Sequence, residues 1–357
     1  MRAVVVTDLA GPSAIVVQDV AEPDADGLVL IDVKASGVCF PDLLVSYGKY
    51  QIRPEPPFVP GTEVAGVVLS APDDSGFVPG QRVLAVSSLG GYAERVAVHR
   101  NLVLPIPDEL TFEEAASLII NYQTMEFALG RRARLQSGET VAVLGAAGGV
   151  GTSAIQLAKA HGARVIAVVR RDGADDFLRE IGADDVVRLA DGWAAQVREL
   201  TGGRGADVVV DPVGGDAFDD AVRALAPEGR LVVIGFAGGG IPTVKVNRVL
   251  FRNISIVGAA WGEFLRHEPS ALAETHAALV KHVRAGLRPV VKARYPLAAA
   301  AEALVDLEGR PGARKGRSRP ELTVFLVTCP LPVRKMCCAG SRGVVSLKGR
   351  GSTRPWG

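Results

Sequence analysis

From residue 140 to residue 170 the spacing of apolar positions changes twice. Residues 141–144 form an unbroken apolar run, as expected of a strand buried on both faces. Gly148, Gly149 and Gly151 follow at once, and then Ala154, Ile155, Leu157, Ala158 and Ala160 recur at helical spacing. Residues 164–169 give a second apolar strand. The alternation continues, with further strands expected at 185–188, 208–211, 230–235 and 254–258. Strands and helices alternating in this way predict a parallel doubly wound sheet. Residues 1–110 follow another rhythm. Short β-type runs at 3–6, 15–17, 28–33, 63–69, 82–86 and 93–98 are separated by Gly11-Pro12, Pro60-Gly61 and Pro79-Gly80. They predict an antiparallel, partly barrel-like domain. Thr111, followed by Glu113 and Glu114, is placed to cap a helix. Two more helices are expected at 272–285 and 298–307, beyond the alternating region. No fixed-period repeat is present.

Composition narrows the function classes. A chain of 357 residues is long enough for about two domains and a large core. Its net charge of +1 argues against nucleic acid or an acidic surface as a partner. Of its 40 basic and 39 acidic residues, ten and one fall within 311–357, so the remainder is mildly acidic. No apolar run approaches the ~18 residues that would span a bilayer. The opening Met1-Arg-Ala-Val-Val-Val-Thr-Asp8 is a strand pattern with an early acid, not a signal peptide. Of four cysteines only Cys39 lies outside the basic tail, so no disulfide framework exists and a reducing, cytoplasmic setting is expected.

The glycine turn carries the first chemistry. Ala147, Gly148, Gly149, Val150 and Gly151 lie where a strand passes into a helix, in an A-x-G-x-x-G pattern. Glycines there let the backbone approach a pyrophosphate, and the helix start offers free N–H groups and a positive dipole end. A dinucleotide site is expected. The five histidines show neither a dyad nor ligand spacing and are expected at the surface, and no nucleophile motif supports hydrolase chemistry.

Other motifs carry a family resemblance. They are Gly37-Val-Cys-Phe-Pro-Asp42, Tyr47-Gly-Lys-Tyr50, Phe58-Val-Pro-Gly-Thr-Glu-Val-Ala-Gly66, Gly80-Gln-Arg-Val83, Gly90-Gly-Tyr-Ala-Glu94, Asn121-Tyr-Gln-Thr124, Gly145 to Gly151, Asp211-Pro-Val-Gly-Gly215 and Gly229-Arg-Leu-Val-Val-Ile-Gly235. In this order and spacing over residues 1–308, the chain resembles the medium-chain dehydrogenase/reductase superfamily, in its zinc-free quinone oxidoreductase branch. The resemblance implies an α/β protein whose GroES-like β-rich catalytic domain is split by an inserted Rossmann domain. The expected boundaries are 1–120 and 263–310 for the catalytic domain and 121–262 for the insert.

Zinc-dependent relatives supply a Cys, a His and a second Cys as ligands. Here those positions fall at Cys39, Thr62 and Ile120, so no metal is expected and Cys39 reads as a small buried thiol. The resemblance places Tyr50 at the active-site mouth, as hydrogen-bond donor or pocket wall. Asn121, Tyr122 and Thr124 fall where relatives contact nicotinamide and substrate. Gly235, Phe236 and Trp261 end later strands at the cofactor edge, although both aromatics also suit the core. The second strand ends on Arg170 and Arg171, where NAD sites place an acid for the ribose 2′-OH, so NADPH is the expected cofactor. The competing reading is a solvated arginine pair neutralised by Asp172, Asp175 and Asp176.

Without zinc, the reaction expected is hydride transfer to a quinone or an α,β-unsaturated carbonyl. Alcohol dehydrogenase or enoyl-thioester reductase chemistry on the same scaffold is the alternative, or a weakly active NADPH-binding interaction protein. The family habit is a homodimer, paired edge to edge near 244–257. After residue 307 the family closes with Gly-Lys-Val-Val-Leu, but this chain has Gly312-Ala-Arg-Lys-Gly-Arg-Ser-Arg-Pro320. One permitted coding of Arg314 to Arg317, read one nucleotide on, spells Gly-Lys-Val-Val. Residues 311–357 are therefore expected to be an aberrant basic tail, disordered or frameshifted, with the closing strand lost if the frame is shifted; a basic interaction tail is the competing reading.

Overall fold

A computed structural model describes residues 1–170 and 172–309, together with the backbone of Thr323–Leu326. Strands β1 (Arg2–Val6) and β2 (Ile15–Asp19) pair as an antiparallel ribbon. The antiparallel sheet that follows is built from β3 (Val29–Val38), β4 (Glu63–Ser70), β5 (Arg82–Val86), β6 (Arg95–Val98) and β7 (Val103–Pro105). Strand β3 pairs with both β4 and β6, which wraps the sheet toward a barrel.

The second sheet is parallel throughout. It contains β8 (Thr140–Leu144), β9 (Arg164–Val169), β10 (Asp185–Arg188), β11 (Ala206–Asp211), β12 (Leu225–Val233) and β13 (Ser255–Gly258). Their spatial order is β10-β9-β8-β11-β12-β13. Apolar runs become strands here because both faces are covered: Val141 to Leu144 and Val165 to Val168 are fully buried. The helix Gly149–Ala160 lays Ala154, Ile155, Leu157 and Ala158 against them. Each Ile or Leu so buried stabilises the fold by about 1.5–3 kcal/mol relative to exposure.

A helical rod over residues 112–132 runs between the sheets. Thr111 starts it through reciprocal capping bonds, accepting from the Glu114 N–H at 3.2 Å while Glu114 accepts from the Thr111 N–H at 2.8 Å. The rod contains two π-helical stretches, Leu118–Gln123 and Phe127–Arg132, flanking Thr124–Glu126. Such widened turns re-aim side chains and recur at functional sites.

After β13 the chain forms the helices Trp261–His267 and Ala271–Arg284 and returns to the first sheet with β14 (Ala293–Pro296). The closing strand expected to be lost has an occupant. The backbone of β15 (Thr323–Leu326) lies between β14, antiparallel, and β3, parallel. Its sequence, Thr-Val-Phe-Leu, is rich in β-forming types, which suits that slot. The rest of residues 311–357, and with it the frameshift reading, lies outside the described residues. Among the described residues, no helix is long and apolar enough to cross a membrane.

Candidate cofactor and active site

The strand order of the parallel sheet reverses between β8 and β11. In open sheets of this kind the ligand crevice lies outside the carboxyl ends of the strands at that reversal. Beyond Leu144 the chain turns through Gly145 to Gly148, the N-cap of the helix Gly149–Ala160. A Cβ on Gly151 would sit 2.3 Å from the Gly145 oxygen and 2.7 Å from the Ala146 backbone, so only glycine permits this helix–turn approach. A Cβ on Gly149 would sit 2.8 Å from Nδ2 of Asn121. The Asn121 side chain therefore lies against the first turn of the helix, whose leading N–H groups have no intrahelical acceptor. Ala147 and Val150 complete the turn, and the Ala147 carbonyl accepts a 2.6 Å hydrogen bond from Nζ of Lys292. Strand β11 ends at Asp211, whose Oδ1 accepts the N–H groups of Val213 and Gly214, both at 2.8 Å. Phe236, just after Gly235 and 42 % exposed, leans over that turn: a Cβ on Gly214 would meet its ring at 2.9 Å.

The end of β9 separates the two readings of its arginines. Arg188 bonds Asp172 and Asp175, each at 2.6 Å, and Asp176 faces Arg179 at 3.8 Å. The acids expected to neutralise the arginine pair are thus held by other cations. Arg170 is exposed and has no hydrogen-bond or ion-pair partner among the described residues. Arg171 lies outside them.

A buried polar cluster faces the crevice from the other sheet. Cys39 caps the short helix Phe40–Ser46, and Asp42 at its third position turns back on the cap. The Asp42 carboxylate accepts from the Cys39 N–H at 2.9 Å, the Cys39 thiol at 3.0 Å, the Thr62 hydroxyl at 2.8 Å and the Tyr92 hydroxyl at 3.0 Å. Burial raises the pKa of Asp42, opposed by these hydrogen bonds. Burial, then the charges of Asp42 and Glu63, pushes the Cys39 thiol well up, so it stays a neutral donor. Beside them Glu63 accepts the Ile120 N–H at 2.8 Å, while its other oxygen is buried with no partner. Burial lifts this carboxyl to about 8, helped by the Asp42 charge and opposed by the Ile120 N–H. The path Asp42, Thr62–Glu63, Ile120–Asn121 and Gly149 connects the polar cluster to the glycine turn. Tyr50 is half-buried beside the cluster, and burial followed by the Cys39 and Asp42 charges raises its pKa. Its phenol remains a proton-bearing donor at neutral pH.

Residues 25–108 match the alcohol dehydrogenase GroES-like domain family, and residues 149–278 match the zinc-binding dehydrogenase family. A quinone oxidoreductase-like protein 2 from Rattus norvegicus is 38 % identical over 290 residues, covering 80 % of this chain and 82 % of its own. The chain belongs to the medium-chain dehydrogenase/reductase superfamily, among the quinone oxidoreductase-like proteins. A probable oxidoreductase from Mycobacterium abscessus superposes with a TM-score of 0.81 at 52 % identity, over 91 % of this chain and 98 % of its own. The quinone oxidoreductase from Thermus thermophilus, solved also as its complex with NADPH, superposes at 0.75 with 34 % identity, over 91 % and 100 %.

The zinc of other superfamily members does not fit the residues present here. A catalytic zinc needs at least three N, S or O side-chain ligands. Cys39 directs its thiol proton to Asp42, Thr62 offers a hydroxyl already bonded to the same carboxylate, and Ile120 offers an aliphatic chain.

The remaining expected site residues are placed differently. Trp261, 6 % exposed, packs on Phe127 at 5.0 Å within an aromatic cluster that includes Phe264, which is the core alternative for this residue. Thr124 bonds its hydroxyl back to the Ile120 carbonyl. Tyr122 is buried, bonded to Gln156 and accepting the Val290 N–H at 3.0 Å. The expectation of surface histidines fails at His276 and holds only in part at His161 and His282. His276 is 5 % exposed and contacts the Pro105 carbonyl, while His161 and His282 converge on Glu126. Those contacts join segments far apart in the chain, where spacing carries no signal. Lys292 at the glycine turn was missed for the same reason.

Proposed function

We propose that this protein is a cytoplasmic, NADPH-dependent, zinc-independent reductase that transfers hydride to a quinone or an α,β-unsaturated carbonyl. The observation that carries the reading is the closed hydrogen-bond set around Asp42, which leaves no Lewis acid where zinc-dependent relatives polarise an alcohol or carbonyl. An acceptor that delocalises incoming negative charge onto its own oxygen suits such a site, because that oxygen needs only a hydrogen-bond donor. The NADPH-bound quinone oxidoreductase of similar fold supports the cofactor assignment. The unpaired Arg170 supports preference for a 2′-phosphate through charge-assisted hydrogen bonds, alone or with Arg171.

Bound NADPH supplies the hydride. The turn from Ala147 to Gly151 and the helix start would receive the pyrophosphate, Arg170 the 2′-phosphate, and Asn121 the nicotinamide side, with Gly235 and Phe236 on the opposite edge. Tyr50 would donate a hydrogen bond to the acceptor oxygen as negative charge gathers there, and solvent would supply the proton that completes the two-electron reduction. A homodimer accords with β13 ending the sheet and with the exposed Ile241, Val246, Leu250 and Phe251 beside it. The deciding experiment follows NADPH oxidation against a panel of quinones and enones, with and without chelator and with NADH in parallel. Turnover that is unaffected by chelator and higher with NADPH is expected. Chelator-sensitive activity, or equal kcat/KM with NADH, overturns the reading.

A further inference from the structure

Three segments remote in sequence point imidazole or carboxylate atoms at one spot, away from the cluster around Asp42. Glu126 stands in the helical rod between its two π-helical stretches. His161 is the C-cap of the helix Gly149–Ala160, and His282 lies in the last turn of the helix Ala271–Arg284. Oε2 of Glu126 is 3.0 Å from Nε2 of His161 and 3.4 Å from Nε2 of His282. One ligand atom from each residue falls within 4.8 Å of the other two. We propose that Glu126, His161 and His282 form a binding site for one divalent transition-metal ion of the zinc or cobalt type.

Geometry, charge and access support the site. A tetrahedral ion with bonds of about 2.0–2.1 Å sets its ligands roughly 3.3 Å apart. The two Glu–His separations bracket that spacing, while the imidazole nitrogens lie within 4.8 Å of one another, so binding would draw the half-buried rings together by up to about 1.5 Å. Two neutral imidazoles and one carboxylate carry a single negative charge, and this donor set suits zinc or cobalt better than the oxygen-preferring magnesium or calcium. Both histidines end helices, where carbonyl dipoles favour a cation. The Glu126 side chain is 9 % exposed, whereas His161 and His282 retain 22 % and 18 %. The histidine side is therefore open to an entering ion and a fourth, water-borne ligand.

The site joins the rod, the first helix of the parallel-sheet domain and the helix Ala271–Arg284. An ion there fastens these three helices beside the Tyr122–Gln156 and Tyr122–Val290 bonds of the same seam. Its role is structural, and it is independent of the proposed hydride chemistry. With three protein ligands, the competing arrangement is a metal-free one in which both imidazoles donate to Glu126.

The test uses full-length, tag-free protein stripped with chelator and dialysed against Zn2+ or Co2+. Metal analysis is expected to give one retained ion per chain, with a visible Co2+ absorption spectrum typical of a low-coordinate site and a raised Tm. His161→Gln and His282→Gln, each at a half-buried position that tolerates an amide, are each expected to weaken binding at least about tenfold, as loss of one of three ligands requires. Cys39→Ser is expected to leave stoichiometry and spectrum unchanged. Wild-type retention no greater than that of the two histidine variants overturns the proposal. So does metal that disappears with Cys39→Ser instead.

Discussion

The carboxyl of Glu63 gives the sharpest test of how burial governs this protein. It is fully buried at the start of β4, holds one hydrogen bond from the Ile120 N–H, and leaves its second oxygen without a partner. Burial, with the neighbouring Asp42 charge, lifts its pKa from the ordinary 4.5 to about 8. A carboxyl raised in the folded state binds its proton there while the unfolded chain has already released it. Its contribution to stability is therefore fully present below the unfolded value and is lost as pH rises toward the folded one. At about 1.4 kcal/mol per pH unit, and allowing for partial ionisation near both pKa values, this one group removes about 3.5 kcal/mol of stability between pH 5 and pH 8. Glu63→Gln keeps the shape and the acceptor for the Ile120 N–H but cannot ionise. Urea unfolding of both proteins at pH 5 and pH 8 should show the variant gaining on the wild type by about 3.5 kcal/mol over that interval. Because Asp42 is present in both proteins, the comparison reads Glu63 together with its coupling to Asp42. Parallel pH profiles for the two proteins would refute the reasoning.

Other substitutions probe the remaining contacts. Gly151→Ala forces a Cβ to within 2.3 Å of the Gly145 oxygen; it should cost about 1–3 kcal/mol of stability and abolish NADPH binding, read by thermal unfolding and cofactor fluorescence. Arg170→Ala should lower kcat/KM with NADPH by about tenfold to a hundredfold and leave the NADH value nearly unchanged. Tyr50→Phe should reduce kcat on a quinone by about tenfold or more without moving the NADPH KM; a wild-type kcat would assign Tyr50 to pocket shape alone. Phe251→Glu, at a ring that is 78 % exposed, should halve the mass found by light scattering, and an unchanged mass would remove β13 and its surroundings from the dimer interface.

Local physics made much of this protein legible from its sequence. Unbroken apolar runs such as Val141 to Leu144 announce parallel strands because both sheet faces are covered. Thr111 with Glu114 announces a helix start because the capping bonds join residues three apart. The glycine turn is equally local, and at Gly151 the structure shows a close helix–turn approach that only glycine permits. What lay beyond reach were contacts between distant segments. Asp42, beside its local bond to Cys39, gathers Thr62 and Tyr92 from separate segments. Arg188, on a neighbouring strand, holds Asp172 and Asp175 and leaves Arg170 without a partner among the described residues. Lys292 reaches Ala147 across 145 residues, and His161 and His282 meet at Glu126 only because two helix ends pack against the widened rod. The sequence by itself determined the main alternating strands and helices, their order and the glycine turn, since those depend on short-range spacing and burial. Which charges are paired, and which imidazoles share a carboxylate, was decided by tertiary packing, because those distances exist only once the sheets and helices have closed on one another.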